Sequence, residues 1–532
     1  MFFGTITLKF PSACWAWIYF GVALSVPAQM TTSQVDNART GANLHETTLA
    51  PRNVNAAQFG KLFTLKVDGD IYAQPLFLAD VPIPGKGKHD VLFVATEHDS
   101  VYAFDAYGNP STPLWQVSFL NEGARTVPER DVQCFFIQPE VGITSTPVLD
   151  AKTGTLYVLA RTKKEHLLSS NEYHQHLHAL AVTNGAEKFG GPVEIQATVP
   201  GKGDGSSGGH VAFDPLRENP RAALLLTKGL VYLSWASSCD VGPYHGWVMA
   251  YDAQTLKQKA VFNDSPDADD GGIWASDTGI AADKDGNVFA ATGNGRFDGA
   301  KGGRDYGDTL LKLTFEGRAL KVGDYFTPFN ADQLNEQDND LGSGGPMLLP
   351  DQAGPHPHLA VVGGKAPLIY VLDRDRLGHY QSASNSHAVQ TIPTKGGIFG
   401  SMAYWNHNVY VLSDGDRLAD YEVSEGRLKY KAASSFSLRD HAATPAVSAN
   451  GAQDGIVWVV SSKGWNSPAR TAVLHAADAS DVTHELWNSE QNPTRDRAGL
   501  GLRFNMPTIV NGHVYIGAKR EVDVYGLLSP GR

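Results

Sequence analysis

Four polar, glycine-punctuated segments of this 532-residue chain carry side chains able to do chemistry. Ser237-Ser238-Cys239-Asp240-Val241-Gly242-Pro243-Tyr244-His245-Gly246 offers an acid, a thiol and an imidazole. Thr292-Gly293-Asn294-Gly295 places a neutral oxygen between glycines that permit close backbone approach. Asp338-Asn339-Asp340-Leu341-Gly342-Ser343-Gly344-Gly345 brings two acids, and Gly363-Gly364-Lys365 brings an ammonium. Oxygen-only donors such as Asp and Asn suit a hard cation like calcium, and a carboxylate beside such an ion can take the proton of an alcohol. Asp, Asn and Gly are also ordinary turn residues, so each segment alone reads as a solvated turn and only their joint arrangement is informative.

The elements that must position these groups recur along the chain. A unit starts with Pro or Gly, runs through an apolar strand, an "hxVYV" strand and a "VYAFDA" strand, and ends in a Trp-bearing strand. The clearest copy opens at Ala73-Gln74-Pro75-Leu76 and continues through 90–96, 100–106 and 113–119. Seven more open near Ser145-Thr146-Pro147, Gly209-His210-Val211, Ser276-Asp277-Thr278, Gly344-Gly345-Pro346, Gly400-Ser401-Met402, Ala443-Thr444-Pro445 and Asn505-Met506-Pro507. The period-2 pattern of β-branched and aromatic residues predicts strands, hence an all-β, eight-bladed propeller. The last copy, ending at 522–528, lacks an outer strand, and 61–67 supplies a spare one. Pairing them closes the ring and removes open sheet edges. The expected organisation is a signal peptide over 1–28, an N-terminal arm over 29–59, the propeller over 60–528 and a tail over 529–532.

The four segments fall in order and context like the cofactor site of methanol dehydrogenase, and the chain resembles the quinoprotein (pyrroloquinoline quinone, PQQ) alcohol dehydrogenases from Asn37 to Leu528. Asn53-Val54 is similar to an early "NV" segment of that family, Thr292-Gly293-Asn294 to its "TGN" motif, and Ile369-Tyr370-Val371-Leu372-Asp373-Arg374 to its "VYTLDR" strand. The resemblance implies PQQ and calcium as cofactors. It makes Asn294 a calcium ligand, Asp340 the catalytic base near the metal, and Lys365 a donor to the quinone oxygens. Asp240 stands where the family has a calcium-binding Glu, one methylene longer. Trp274 lies near, though not in register with, the Trp on which the quinone stacks. The family's adjacent cysteine pair is replaced by Gln133-Cys134-Phe135, so Cys134 or Phe135 is expected to cover the quinone. Because Cys239 adjoins Asp240, a Cys134 to Cys239 disulfide between neighbouring blades is expected.

Composition narrows the partners. A formal net charge of −12, with no run of Lys and Arg, argues against nucleic acid. Lys9, the apolar stretch from Phe10 to Val26, and Val26-Pro27-Ala28 predict a cleaved export signal, hence a periplasmic or secreted protein with no later membrane span. Cys14 would leave with that signal, so Cys134 and Cys239 remain. No Cys-x-x-Cys-His occurs, which excludes covalent c-type haem and requires a separate electron acceptor. His174, His176 and His178 alternate on a predicted strand and share a face; a transition metal would suit them, but a polar strand entry is the plainer reading. The acidic run from Asn263 to Asp270 lacks an EF-hand's Gly and Glu and is expected to be an exposed loop.

Two functions therefore compete. One is a PQQ- and calcium-dependent dehydrogenase oxidising an alcohol or sugar. The other is a non-catalytic propeller that has lost the cofactor and binds protein or glycan.

Overall fold

The alternating β-branched and aromatic segments form strands that pair antiparallel with their sequence neighbours, because each is short and joined to the next by a turn. The structure, a computed structural model, describes residues 29–529 except 122, 167–168, 440–443, 463, 466 and 468. The predicted export signal and residues 530–532 of the tail lie outside the described residues. No described helix is long and apolar enough to cross a membrane.

Eight four-stranded units follow one another along the chain, some extended by one or two extra strands. Blade 1 pairs Leu76–Ile83, Gly87–Ala95, Ser100–Asp105 and Trp115–Ser118, from the channel outwards. The innermost strands of blades 2 to 7 are Val148–Asp150, Leu225–Thr227, Ala281–Ala282, Met347–Leu348, Ala403–Trp405 and Ala446–Asn450. Blade 8 joins Thr508–Val510, His513–Ala518 and Glu521–Leu527 to Phe59–Lys66, so the ring closes through the N-terminal strand as its spare pattern predicts. The third start differs from the expectation at Gly209. His210–Ala212 pairs with Thr198–Pro200 in a separate hairpin and shows the burial of a surface strand, whereas Ala222 to Leu225 are buried and lead into the blade.

The core lies between blades. Eight apolar clusters each mix two neighbours, and the one that closes the ring packs Val94 and Phe104 of blade 1 on Val522 and Val524 of blade 8. The repeated Tyr and Ala of the motifs explain part of the spacing. Tyr157, Tyr410 and Tyr515 donate their hydroxyls to the carbonyls of Ala253, Ala479 and Ala106 in the next blade at 2.6, 2.7 and 3.0 Å. A buried Tyr hydroxyl needs such a partner, so the motif ties blade to blade.

The arm crosses every blade. Phe77, Leu149, Ala282, Leu348, Tyr404 and Val447 donate backbone N–H groups to the carbonyls of Met30, Thr31, Asn37, Ala38, Thr40 and Gly41. Side chains of Asn37 and Asn43 reach the carbonyls of Leu226 and Ile509 at 2.8 and 2.9 Å, completing blades 3 and 8. Asn53 closes a turn onto the Thr48 carbonyl at 2.8 Å and Val54 is buried beside blades 7 and 8.

Candidate functional site

The candidate residues are carried where second strands end or where the chain returns to the channel. Cys239 and Asp240 follow Leu230–Trp235, Asn294 follows Val288–Ala291, and Lys365 follows Leu359–Gly363. Trp274 and Asp340 precede the innermost strands of blades 4 and 5. Cys239, Asp240, Trp274, Asp338, Asp340 and Lys365 line one cavity of about 470 Å³.

Asp340 is wholly buried and held at both ends. Its Oδ1 accepts the backbone N–H of Asn294 at 2.7 Å, and its Oδ2 lies against the Lys365 ammonium. Glycine is required at 293, since a Cβ there would stand 2.3 Å from Asp340 Oδ1 and 2.9 Å from Trp274 Nε1. The neighbouring acid Asp338 joins the site. Its Oδ1 accepts from Asn294 Nδ2 at 2.8 Å and from Lys365 Nζ at 2.5 Å. Burial alone would lower Lys365, but Asp340 and Asp338 outweigh it and hold the ammonium above its ordinary value.

Asp240 faces the same cavity and accepts the Tyr244 hydroxyl at 2.9 Å. Burial, reinforced by the Asp340 charge, pushes its carboxyl up. Burial followed by Asp269 and Asp240 pushes Asp270 up to about 7. Burial also raises Asp308 well above the carboxylate range, even though its Oδ1 accepts the Leu341 N–H at 2.9 Å. The acids thus repel one another around a single ammonium, which is the field a cation relieves.

The donor set fits a hard cation. Asn294 Oδ1 is buried with no hydrogen-bond partner on a residue bonded to Asp340, and Asp240 and Asp340 present carboxylate oxygens to the cavity. Among the described residues no three His, Cys, Asp or Glu side chains enclose an ion by themselves. A flat ring also finds surfaces here. Trp274 lines the cavity with a buried, unpartnered indole Nε1, and Cys239 lines it joined to Cys134 by a disulfide spanning 105 residues. Cys239, Asp240, Asp338 and Phe504, all lining the cavity, adopt left-handed backbone, at φ 55, 53, 54 and 55°. Four strained non-glycine residues around one cavity point to a site whose geometry is imposed by its surroundings.

Other predicted features fall elsewhere. Phe135 is exposed, at 60 %, and it is Phe136 that lines the cavity. His174 and His178 bond Glu194 and Glu187 at 2.7 and 2.6 Å on the strand Glu172–Ala181, away from this cavity. The acidic run expected on an exposed loop begins in the interior. Asn263, Asp264 and Ser265 are buried, with Asp264 packed against Gly246 and Gly271. Sequence reasoning also missed Arg221, Phe399, Arg503 and Phe504, which line the cavity. All lie just ahead of innermost strands, as Trp274 does, so aligning that position across the repeats is the signal that finds them.

No protein-family profile matches the sequence, and no curated protein does. Solved structures do match in shape. The quinohemoprotein alcohol dehydrogenase of Comamonas testosteroni superposes with a TM-score of 0.61 at 13% identity, over 95% of this chain and 81% of that one. A second quinohemoprotein alcohol dehydrogenase, from Pseudomonas putida HK5, gives 0.60 at 14% identity, over 94% and 80%. A europium-containing methanol dehydrogenase gives 0.59 at 14% identity, over 95% and 99%. At these identities the likeness is one of architecture, and the chain has the eight-bladed propeller fold of the quinoprotein alcohol dehydrogenases.

Proposed function

We propose that this chain is an exported quinoprotein-type dehydrogenase that oxidises an alcohol or sugar and passes the electrons to a separate acceptor. The observation that carries the reading is the meeting of Asp240, Asp340 and Lys365 with Trp274 and the Cys134–Cys239 disulfide on one channel-mouth cavity, with Asn294 bonded to Asp340.

When bound, a PQQ–calcium pair supplies a two-electron acceptor and a Lewis acid. Asn294 Oδ1, Asp240 and Asp340 are the oxygens that would hold the cation. Trp274 and the disulfide offer flat and apolar surfaces for a ring, and Lys365 an ammonium for its oxygens. Asp340 is the base. Its Oδ1 is fixed by the Asn294 N–H, which leaves Oδ2 beside Lys365 to accept the hydroxyl proton of a substrate in the cavity. Burial of Asp340 excludes bulk water from that oxygen and strengthens the charges around it.

The test is calorimetric titration of PQQ into the mature protein, with calcium and then with a chelator. Calcium-dependent binding, weakened in Asn294→Ala and Asp340→Ala, is the expected result. Absence of binding at high micromolar PQQ would leave the propeller as a scaffold for protein or glycan partners.

A further inference from the structure

A second group of cavity-lining residues has a different chemistry. The Arg503 guanidinium, only 4 % exposed, lies 4.3 Å from the Phe136 ring centroid, 4.6 Å from Trp465 and 4.9 Å from Phe504. Arg221 stacks 4.3 Å from the same Phe504, and its Nε donates to Ser276 Oγ at 3.2 Å. Two guanidiniums therefore share one phenyl ring at the wall of the cavity. Stacking leaves the N–H edge of Arg221 that does not bond Ser276 as the binding surface, and Arg503 adds a second positive charge to the same wall.

Arg221 has no carboxylate in ion-pair contact among the described residues. The acids that act on it from a distance are Asp277 and Glu97, and each is bonded elsewhere. Asp277 accepts the backbone N–H and hydroxyl of Thr444 at 2.9 and 2.7 Å. Glu97 accepts Gly142 N–H and the Thr144 hydroxyl at 2.7 and 3.1 Å. Burial pushes Asp277 up to about 7 and Glu97 up to about 8, so near neutral pH much of their charge is titrated away. A largely buried cation without its own counter-ion, facing a cavity, is a receptor for an anion brought by a ligand.

We propose that the Arg221 and Arg503 wall recognises a carboxylate, so that the site takes an alcohol bearing an acid group, a hydroxy acid or sugar acid, in preference to a neutral one. This rests on the dehydrogenase reading for its role but not for the binding itself.

The experiment compares matched pairs, D-glucuronate with D-glucose and glycolate with ethylene glycol, titrated into the mature protein before and after loading with PQQ and calcium. At least one acid should bind about tenfold or more tighter than its neutral twin, the value of one charged hydrogen bond. That preference should vanish in Arg221→Gln, survive in part in Arg221→Lys, and fall in Arg503→Gln, with thermal melts confirming that each variant folds. If Arg221→Gln does not fold, Arg221→Lys and Arg503→Gln decide the matter. Equal binding of acid and neutral twin in both pairs would overturn the proposal. So would variants that lose PQQ while keeping the preference, since the arginines would then serve the cofactor. If PQQ fails to bind and the arginine-dependent preference persists, the carboxylate subsite stands and the quinone reading falls.

Discussion

Lys365 grips Asp340 twice: its backbone N–H donates to the Asp340 carbonyl at 2.8 Å, and its ammonium lies against the carboxylate of the same residue. The ammonium also reaches Asp338, so one positive charge is shared by two acids that are two residues apart. Lys365→Met removes that charge without removing the backbone tie. Calcium should then bind more tightly, because two carboxylates lose their resident cation. PQQ should bind more weakly, because a donor to its oxygens is lost. Each change is expected at about tenfold, or about 1.4 kcal/mol. Calorimetry with each ligand separately reads the two signs, and a parallel loss of both would mean that the lysine acts only by holding the loop.

Gly293 is a close backbone approach to the side chains of the site. A Cβ there would collide with Asp340 Oδ1 and crowd the Trp274 indole. The carboxylate cannot retreat easily, since Asp340 is bonded to Asn294 and Lys365, and Leu341 beyond it is bonded to Asp308. Gly293→Ala should destabilise the fold by about 1–3 kcal/mol, the usual cost of overpacking. It should also weaken calcium and PQQ binding more than that stability loss explains. A melt paired with a PQQ titration separates the two effects.

Stability should fall as pH rises through neutrality. Asp270 and Asp277 are raised to about 7 and Glu97 to about 8, all by burial first. Between the unfolded carboxylate value near 4 and these folded values, the native state binds more protons than the unfolded chain, so unfolding free energy decreases with increasing pH. The melting temperature should therefore be higher at pH 6 than at pH 8.5. Asp277→Asn keeps an acceptor for the Thr444 hydroxyl but cannot ionise, and it should flatten part of that slope. An unchanged slope would show that Asp277 is not a source of the dependence.

Arg39 is the keystone of the N-terminal arm. It is fully buried and donates to Thr32 Oγ1, Ser33 O, Ile280 O and Leu224 O, at 2.8, 2.7, 3.0 and 3.3 Å. Burial lowers its pKa to about 10, which still leaves it charged at neutral pH. Arg39→Met would leave those acceptors unmet and should cost more than about 3 kcal/mol. Denaturant unfolding measures it.

What the sequence discloses follows from where the determining contacts lie. The strands and ring closure are written locally, in period-2 segments and in the missing partner of Glu521–Leu527, which Phe59–Lys66 supplies. That Asn294, Asp340 and Lys365 lie together was foreseeable from the glycine-punctuated segments that carry them. The start of blade 3 was not, since a Gly-rich hairpin at 198–212 has the local pattern of a blade entrance while the buried run at Ala222 does not. Asp264 looks like a surface acid until Gly246 and Gly271 close over it. Arg221 and Arg503 acquire meaning only from Phe504, to which Arg221 is tied across the ring rather than along the chain.

The Cys134–Cys239 bridge joins the segment following blade 1 to the loop of blade 3 that carries Asp240. It closes a loop of 105 residues, and the loss of that constraint in the unfolded chain should cost about 2–4 kcal/mol when both cysteines become serine. The effect should extend to the site. Cys239 and Asp240 are both in left-handed backbone, a conformation unfavourable for residues with a Cβ, and beyond the bridge the loop is held by Tyr244 bonding Asp240 and by Ser237 Oγ accepting the Asp240 N–H at 2.9 Å. Without the bridge the loop can relax, and Asp240 should leave the cavity more readily. The double serine variant is therefore expected to bind calcium more weakly than the parent, while Asp240→Ala in the parent sets the limit of that loss. Thiol titration of the unreduced mature protein should find no free cysteine; two free thiols would remove the bridge from the account, and an unchanged calcium affinity in the double variant would confine it to stability.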